Sequence, residues 1–226
     1  MKKKYKYKFY YINNPNNIFK KKNFILSAFN LSFLAYFLDN QIKFNKNLIL
    51  WPDGIFSKFY LKSKKLPGFK IINKIQLPQK INKIIVFGNL DSIDYDYLKS
   101  HFKKKILHKK LKYGRFKEII KKQDLKLGEN CLCLITLPTP KQEQLADSLV
   151  KKNKSFKIIC IGGGLSIASG KIEKSPQLLS DIGLEWFWRL KTDTIRRLKR
   201  LFFTFIIYFY RNFFVNKIEL VFKKFG

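Results

Sequence analysis

Asp53, Thr139–Glu143 and the glycines at 162–164 are the side chains and backbone best suited to chemistry on a phosphorylated or hydroxylated ligand. Asp53 stands in Trp51-Pro52-Asp53-Gly54, directly after an apolar run. A carboxylate at the end of a strand can act as general base, taking the proton of an attacking hydroxyl. The same four residues also make a common turn sequence, and the local pattern alone is satisfied by the turn. In Thr139-Pro140-Lys141-Gln142-Glu143 the threonine suits an N-cap, the proline suits the first helical position, and Gln142 suits a capping box. A helix start there points N–H groups and a positive dipole end at an anion, with Lys141 adding charge. The Gln142 amide can meet a sugar hydroxyl as donor or acceptor. Gly162-Gly163-Gly164 allows a ligand to approach the backbone closely. It is not a dinucleotide fingerprint, because Ile167 stands where Gly or Ala is needed, and it lacks the Gly-Lys-Ser/Thr ending of a phosphate-binding loop.

Elements must hold these groups in place. Apolar runs without polar alternation predict strands at Phe24–Ala28, Leu48–Trp51, Lys83–Gly88, Cys131–Leu137 and Phe156–Ile161. Helical patterns occupy Ser32–Ile42, Ile55–Lys62, Ser92–Phe102 and Lys141–Lys152. Their alternation predicts an α/β fold, a Rossmann-like, mainly parallel sheet with helices on both faces. Asp53, Lys141 and the glycines then fall at the carboxyl edge, where such sheets place ligands. Ser175-Pro176 opens a further helix, expected to run to Arg189 and on through Arg200.

The chain has 226 residues and a formal net charge of +32. Such a charge attracts polyanions of every kind, so it does not choose between nucleic acid, an anionic bilayer and a phosphorylated substrate. Abundant Lys, Asn, Ile and Phe together also fit simple compositional bias. The three cysteines, Cys131, Cys133 and Cys160, lack disulfide-framework spacing and read as buried thiols in a reducing compartment. His101 and His108 sit in a lysine-rich stretch without a carboxylate or cysteine cluster, so no metal site is expected.

Three regions are expected: a basic, aromatic arm over 1–22, an α/β core over 23–184, and a basic, aromatic helical appendage over 185–226. The arm lacks a secretory signal core and reads as a solvated end. Leu201–Tyr210 is almost wholly apolar, but as a helix it is only ~15 Å long, too short to span a bilayer. Arg196, Arg197, Lys199, Arg200 and Arg211 flank it, which suits a membrane-associating interfacial anchor. A C-terminal core helix is the competing reading.

The ordered set of Pro52-Asp53-Gly54, Leu66-Pro67-Gly68, Val86-Phe87-Gly88, Pro140-Lys141-Gln142-Glu143, Ala168-Ser169-Gly170-Lys171, Gly183-Leu184-Glu185-Trp186-Phe187-Trp188-Arg189-Leu190 and Ile195-Arg196-Arg197 resembles the WecG/TagA/CpsF family, glycosyltransferase family 26. The resemblance implies an inverting, metal-independent transfer from a UDP-sugar to a polyprenyl-diphosphate-linked sugar. The products would feed wall teichoic acid, enterobacterial common antigen or capsular polysaccharide. It makes Asp53 the base and gives site roles to Asn30, Gln142, Arg189 and Arg196; Gly54, Lys141, Glu143, Gly162, Gly163, Gly164 and Ser166, in or beside the same motifs, complete the expected substrate-binding set. The arginines would close over the donor diphosphate when the protein meets the membrane. No cofactor and no specific nucleic acid are implied, and self-association is left open. The implied location is cytoplasmic, peripheral on the inner face of the plasma membrane. Ala28, Pro138, Ser166 and Lys174-Ser175-Pro176 depart from the family pattern, so N-acetylmannosamine is not a fixed donor sugar. A basic nucleic-acid-binding protein and a non-catalytic membrane-surface scaffold are the alternatives. The first lacks any recognised nucleic-acid module.

Overall fold

The computed structural model describes residues 4–111, 126–181, 185–188, 194–215 and 217–226. Its centre is a sheet of eight strands: β1 (Lys4–Tyr11), β2 (Phe24–Phe29), β3 (Leu48–Pro52), β4 (Lys83–Phe87), β5 (Lys105–Lys109), β6 (Cys131–Ile135), β7 (Lys157–Cys160) and β8 (Lys217–Lys224). The order across the sheet is β5-β4-β6-β7-β2-β3-β1-β8, and every pairing is parallel. The parallel α/β expectation therefore holds.

A parallel sheet needs cover on both faces, and the strand sequences supply it. Ile25, Phe29, Ile85, Cys133 and Ile158 enter one core, while Leu26, Ala28, Ile84, Leu134 and Ile159 enter the other. The first core is closed by α1 (Leu31–Leu38), α2 (Phe56–Leu61) and α5 (Lys141–Lys152). The second is closed by α3 (Gly68–Lys74), α4 (Ser92–Phe102) and α6 (Gly164–Ala168). Cys131, Cys133 and Cys160 all lie buried and unbridged in the first core. His101 and His108 each place Nε2 by a backbone carbonyl, of Ile72 at 3.2 Å and of Gly88 at 2.8 Å.

Both chain ends differ from expectation. Instead of a solvated arm, β1 sits inside the sheet between β3 and β8. Its lysine–aromatic alternation has the period of a strand: Lys6 and Lys8 face solvent, while Phe9 is buried and Tyr7 and Tyr11 pack on the same core. Burying Phe9 contributes ~2 kcal/mol, more than a frayed arm can forgo. The C-terminal segment is not wholly helical, because β8 pairs with β1 in register from Lys4↔Lys217 to Tyr11↔Lys224. Lys6 and Glu219, opposite each other, form an ion pair at 2.8 Å. Short helices α7 (Gln177–Asp181) and α8 (Glu185–Trp188) precede α9 (Thr194–Phe209). The junctions 182–184 and 189–193, where a continuous helix was expected, lie outside the described residues.

α9 and the π-helical turn Tyr210–Val215 that follows it pack on α1. Thr204 is fully buried, and Tyr208 reaches Tyr60 of α2, with 3.0 Å between their hydroxyl oxygens. Arg211 grips Asp39 at the end of α1, with Nη2 2.6 Å from Oδ1. The opposite side of α9 leaves Leu198, Phe202, Phe203, Ile206 and Phe209 exposed. Among the described residues, no helix is long and apolar enough to cross a membrane.

The start of α6 lies against the start of α3, where there is no room for a side chain. A Cβ on Gly164 would sit 2.9 Å from the Gly68 carbonyl carbon, whereas one on Gly163 would meet nothing within 4 Å. Gly164→Ala should therefore cost roughly 1–3 kcal/mol in denaturant titration. Gly163→Ala, at an ordinary φ of −76°, should be close to neutral.

Candidate active site

The cleft opens at the carboxyl edge where β2, β3, β6 and β7 end. Leaving β2, the chain enters α1 through Asn30, whose Oδ1 accepts from the Phe33 N–H at 3.0 Å as a true N-cap. The other end of that amide is committed too: Nδ2 donates to Asp53 Oδ2 at 3.2 Å. One side chain thus caps a helix and orients the carboxylate arriving from β3. Gly54 follows at φ +71°, a left-handed backbone that lets the chain leave β3 sharply toward α2. The Gly54 carbonyl accepts from Ser57 Oγ at 2.8 Å, fixing that turn. The turn and base readings of this motif are therefore compatible.

Across the cleft, Gly162, Gly163 and Gly164 carry the chain from β7 into α6 and present backbone to the cavity. Pro138, Thr139 and Gln142 close it from the β6–α5 side. The expected capping box is absent. α5 begins at Lys141 behind a cis Thr139–Pro140 bond, and no side chain caps it. Thr139 Oγ1 instead accepts from Gln142 Nε2 at 3.0 Å and donates to Glu143 Oε1 at 3.3 Å. A proline immediately before the helix leaves the threonine outside the capping position, so its hydroxyl serves side chains.

Of the expected site residues, Asn30, Asp53, Gln142 and the glycines at 162–164 line one cleft. Gly54 adjoins it beside Asn30. Lys141 is exposed at the start of α5 rather than on the cavity wall. Glu143 lies beneath it, only 5% exposed. Ser166 turns away, donating to Asp94 Oδ2 at 3.1 Å, while Ser169 holds Oδ1 of the same carboxylate at 2.6 Å. Asp94 is buried in the first turn of α4, and the hydroxyl of Ser166 is spent on it rather than on a ligand. Arg189 lies outside the described residues, as does the side chain of Arg196 on α9.

Sequence reasoning missed Arg200, which α9 brings to the cleft wall with Asn30 and Asp53. It had been read as an anchor flank, and only the docking of α9 on α1 reveals its position. Trp51 also lines the cleft, with a buried Nε1–H that has no partner among the described residues. The buried Gln142 Oε1 is unpartnered as well. An unmet donor and an unmet acceptor on two residues that line one cleft, with Arg200 also on its wall, suit a polar, anionic ligand.

A parallel α/β sheet with helices on both faces and a glycine-lined cleft at its carboxyl edge defines the doubly wound class, in which that edge is where ligands bind. Residues 119–220 match the model of the Glycosyl transferase WecG/TagA/CpsF family. The matched segment holds the Pro-Lys-Gln-Glu motif, the glycines and α9, while Asn30 and Asp53 precede it. Over those residues, fewer than half of the chain, the sequence is similar to that family of glycosyl transferases.

Burial raises the Glu143 carboxyl above its ordinary 4.5, against the lowering effect of its hydrogen bonds, of which the one from Ser27 is the largest. A carboxyl whose value rises on folding favours the fold fully below 4.5 and withdraws that support as pH climbs through the raised value. Wild type should therefore lose stability relative to Glu143→Gln as pH rises from 4.5 upward, and thermal melts of both across pH 4–8 will show the gap widening.

Proposed function

We propose that this protein transfers a hexose from a UDP-sugar to a polyprenyl-diphosphate-linked sugar in cell-surface polysaccharide or teichoic acid synthesis. The observation that carries the reading is the Asp53 carboxylate, oriented by Asn30 at a glycine-lined cleft that Arg200 also reaches. Asp53 takes the proton of the acceptor hydroxyl as its oxygen bonds to the anomeric carbon. The bond from that carbon to the UDP oxygen breaks on the opposite side, and UDP leaves with the electron pair. A single displacement of this kind inverts the anomeric centre.

The departing diphosphate gains charge, which guanidinium groups meet well. Arg200 serves here, and the family resemblance adds Arg189 and Arg196. Lys141 extends the positive field at the rim. The reading makes the transfer independent of metal and of any cofactor. Asp53→Asn should lower kcat by ~10²-fold or more with UDP affinity little changed, in a transfer assay on a short-chain lipid diphosphate run with a panel of UDP-hexoses. Wild-type turnover in the same assay should survive excess EDTA. Near-normal turnover by Asp53→Asn, or loss on chelation restored by Mg²⁺ or Mn²⁺, would overturn this mechanism.

The exposed aromatics of α9 and its basic flank suit the surface of an anionic membrane, from which the lipid-linked acceptor would be drawn. The reading places the protein peripherally on the cytoplasmic face. Arg200 lies two residues before exposed Phe202, so the helix that would meet lipid also carries a cleft residue. Removing the whole segment is a poor test, because β8 pairs with β1 and Tyr208 packs on α2. Phe202→Glu with Phe213→Glu should abolish co-sedimentation with phosphatidylglycerol vesicles and leave the melting temperature unchanged. Arg200→Ala should keep vesicle binding and lose turnover. Equal vesicle binding by the glutamate variant would refute the membrane role of this face.

A further inference from the structure

Beneath the cleft, β2 and α5 enclose a polar cluster that the transfer step does not use. Ser27, fully buried, turns from β2 toward α5 because its neighbours Leu26 and Ala28 face the opposite core. Its Oγ donates to Glu143 Oε1 at 2.7 Å. The same oxygen accepts from Gln142 Nε2 at 2.8 Å and from Thr139 Oγ1 at 3.3 Å. Gln142 Nε2 also donates to Thr139 Oγ1 at 3.0 Å, so both amide hydrogens of Gln142 are engaged inside the protein.

The other end of that amide is unengaged. Gln142 is 4% exposed, and its Oε1 has no partner among the described residues. A Cβ on Gly162 would lie 3.6 Å from it, which puts the oxygen against the glycine turn of the cleft wall. Turning the amide over would set its carbonyl oxygen against Glu143 Oε1 and lose the hydrogen bonds that now hold it. The neutral form favoured by burial leaves Glu143 Oε1 a good acceptor without placing an unpaired charge in the core.

We propose that Glu143, anchored by Ser27, is a positioning residue that locks the Gln142 amide with its carbonyl oxygen toward the cleft, so that the site selects a transferred sugar presenting a hydrogen-bond donor, a hydroxyl or an amide N–H, at that point. Gln142 is thereby an acceptor only, although its side chain is chemically able to act both ways. A site built around a buried acceptor discriminates against a ligand that lacks the matching donor, because the acceptor is then left unpaired. The lock itself is a property of the free protein. Its consequence for the sugar rests on the UDP-sugar reading above.

The two parts are measured separately. In free, ¹⁵N-labelled protein the Gln142 side-chain amide hydrogens should exchange slowly. Glu143→Leu should speed that exchange by tenfold or more, and Glu143→Gln, which keeps an acceptor in place, should restore protection. Ser27→Ala, a milder change, should give an intermediate rate and covers the case in which Glu143→Leu does not fold. Fast exchange in the wild type overturns the lock whatever the substrate. For selectivity, UDP affinity is compared by calorimetry with kcat/KM for the UDP-hexose turned over in the screen. Gln142→Leu, Glu143→Leu and Ser27→Ala should leave UDP affinity within twofold, and the two leucine variants should each lower kcat/KM roughly tenfold. The double leucine variant should be no worse than Gln142→Leu alone. Additive losses, or losses shared equally by UDP, would overturn the positioning role. A wild type that turns over no UDP-hexose would overturn the selectivity claim together with the functional reading, while leaving the exchange result to stand by itself.

Discussion

A parallel sheet buried on both faces has almost nowhere to put unmatched polar groups except beyond the ends of its strands. Here alternate residues of β2, β4, β6 and β7 feed two apolar cores. The loops leaving β2, β3, β6 and β7 carry Asn30, Asp53, Thr139 and the glycines to one edge. Everything attributed to the site follows from that constraint. Ser27 and Glu143 nevertheless lie within the sheet–helix layer, where a hydrogen bond joins them and burial favours the neutral Glu143 carboxyl, its Oε2 having no partner among the described residues.

The parts of the site are mechanically joined. Asn30 ends β2, caps α1 and holds Asp53. α1 supports α9, which brings Arg200 to the cleft while its outer side stays apolar and exposed. Arg211 and Tyr208 tie the far end of α9 to Asp39 and to Tyr60 on α2, the helix that follows the Asp53 turn. β8 then anchors the segment by joining the sheet. What reads in the sequence as an appendage is thus integrated with the core through packing and strand pairing.

The central strands were legible because unbroken Ile, Leu, Val and Phe runs have few alternatives to a doubly covered strand, and Leu48–Pro52 and Cys131–Ile135 fall where expected. Helix α4 was placed to the residue, with Asp91 as its side-chain cap. The edge strands β5 and β8, and β1 beside β8, were not legible, since they mix lysine with apolar residues and gain their order from strand pairing. In β1 the alternation was visible, but only the pairing with β8 and β3 gives it a sheet to join. Around the site, Asp53, Gln142 and the glycines at 162–164, singled out by residue type and position, line one cleft. Ser166 and Glu143 are not on the cleft wall, because their hydroxyl and carboxyl are held by partners from other elements, Asp94 and Ser27, which no local pattern reveals. Arg200 was one basic residue among several neighbours, and nothing local distinguishes the one that faces the cleft.

A UDP-sugar held between Asp53 and the glycine turn, as proposed, differs measurably from polyanions attracted indiscriminately by a charge of +32. Titrating UDP into isotopically labelled protein at two salt concentrations separates these accounts. Occupancy of the cleft predicts saturable shifts confined to Asn30, Asp53, Gln142 and Gly162–Gly164, with an affinity that weakens but a shift pattern that persists as salt rises. Weak shifts scattered over surface lysines, fading as salt rises, would contradict it.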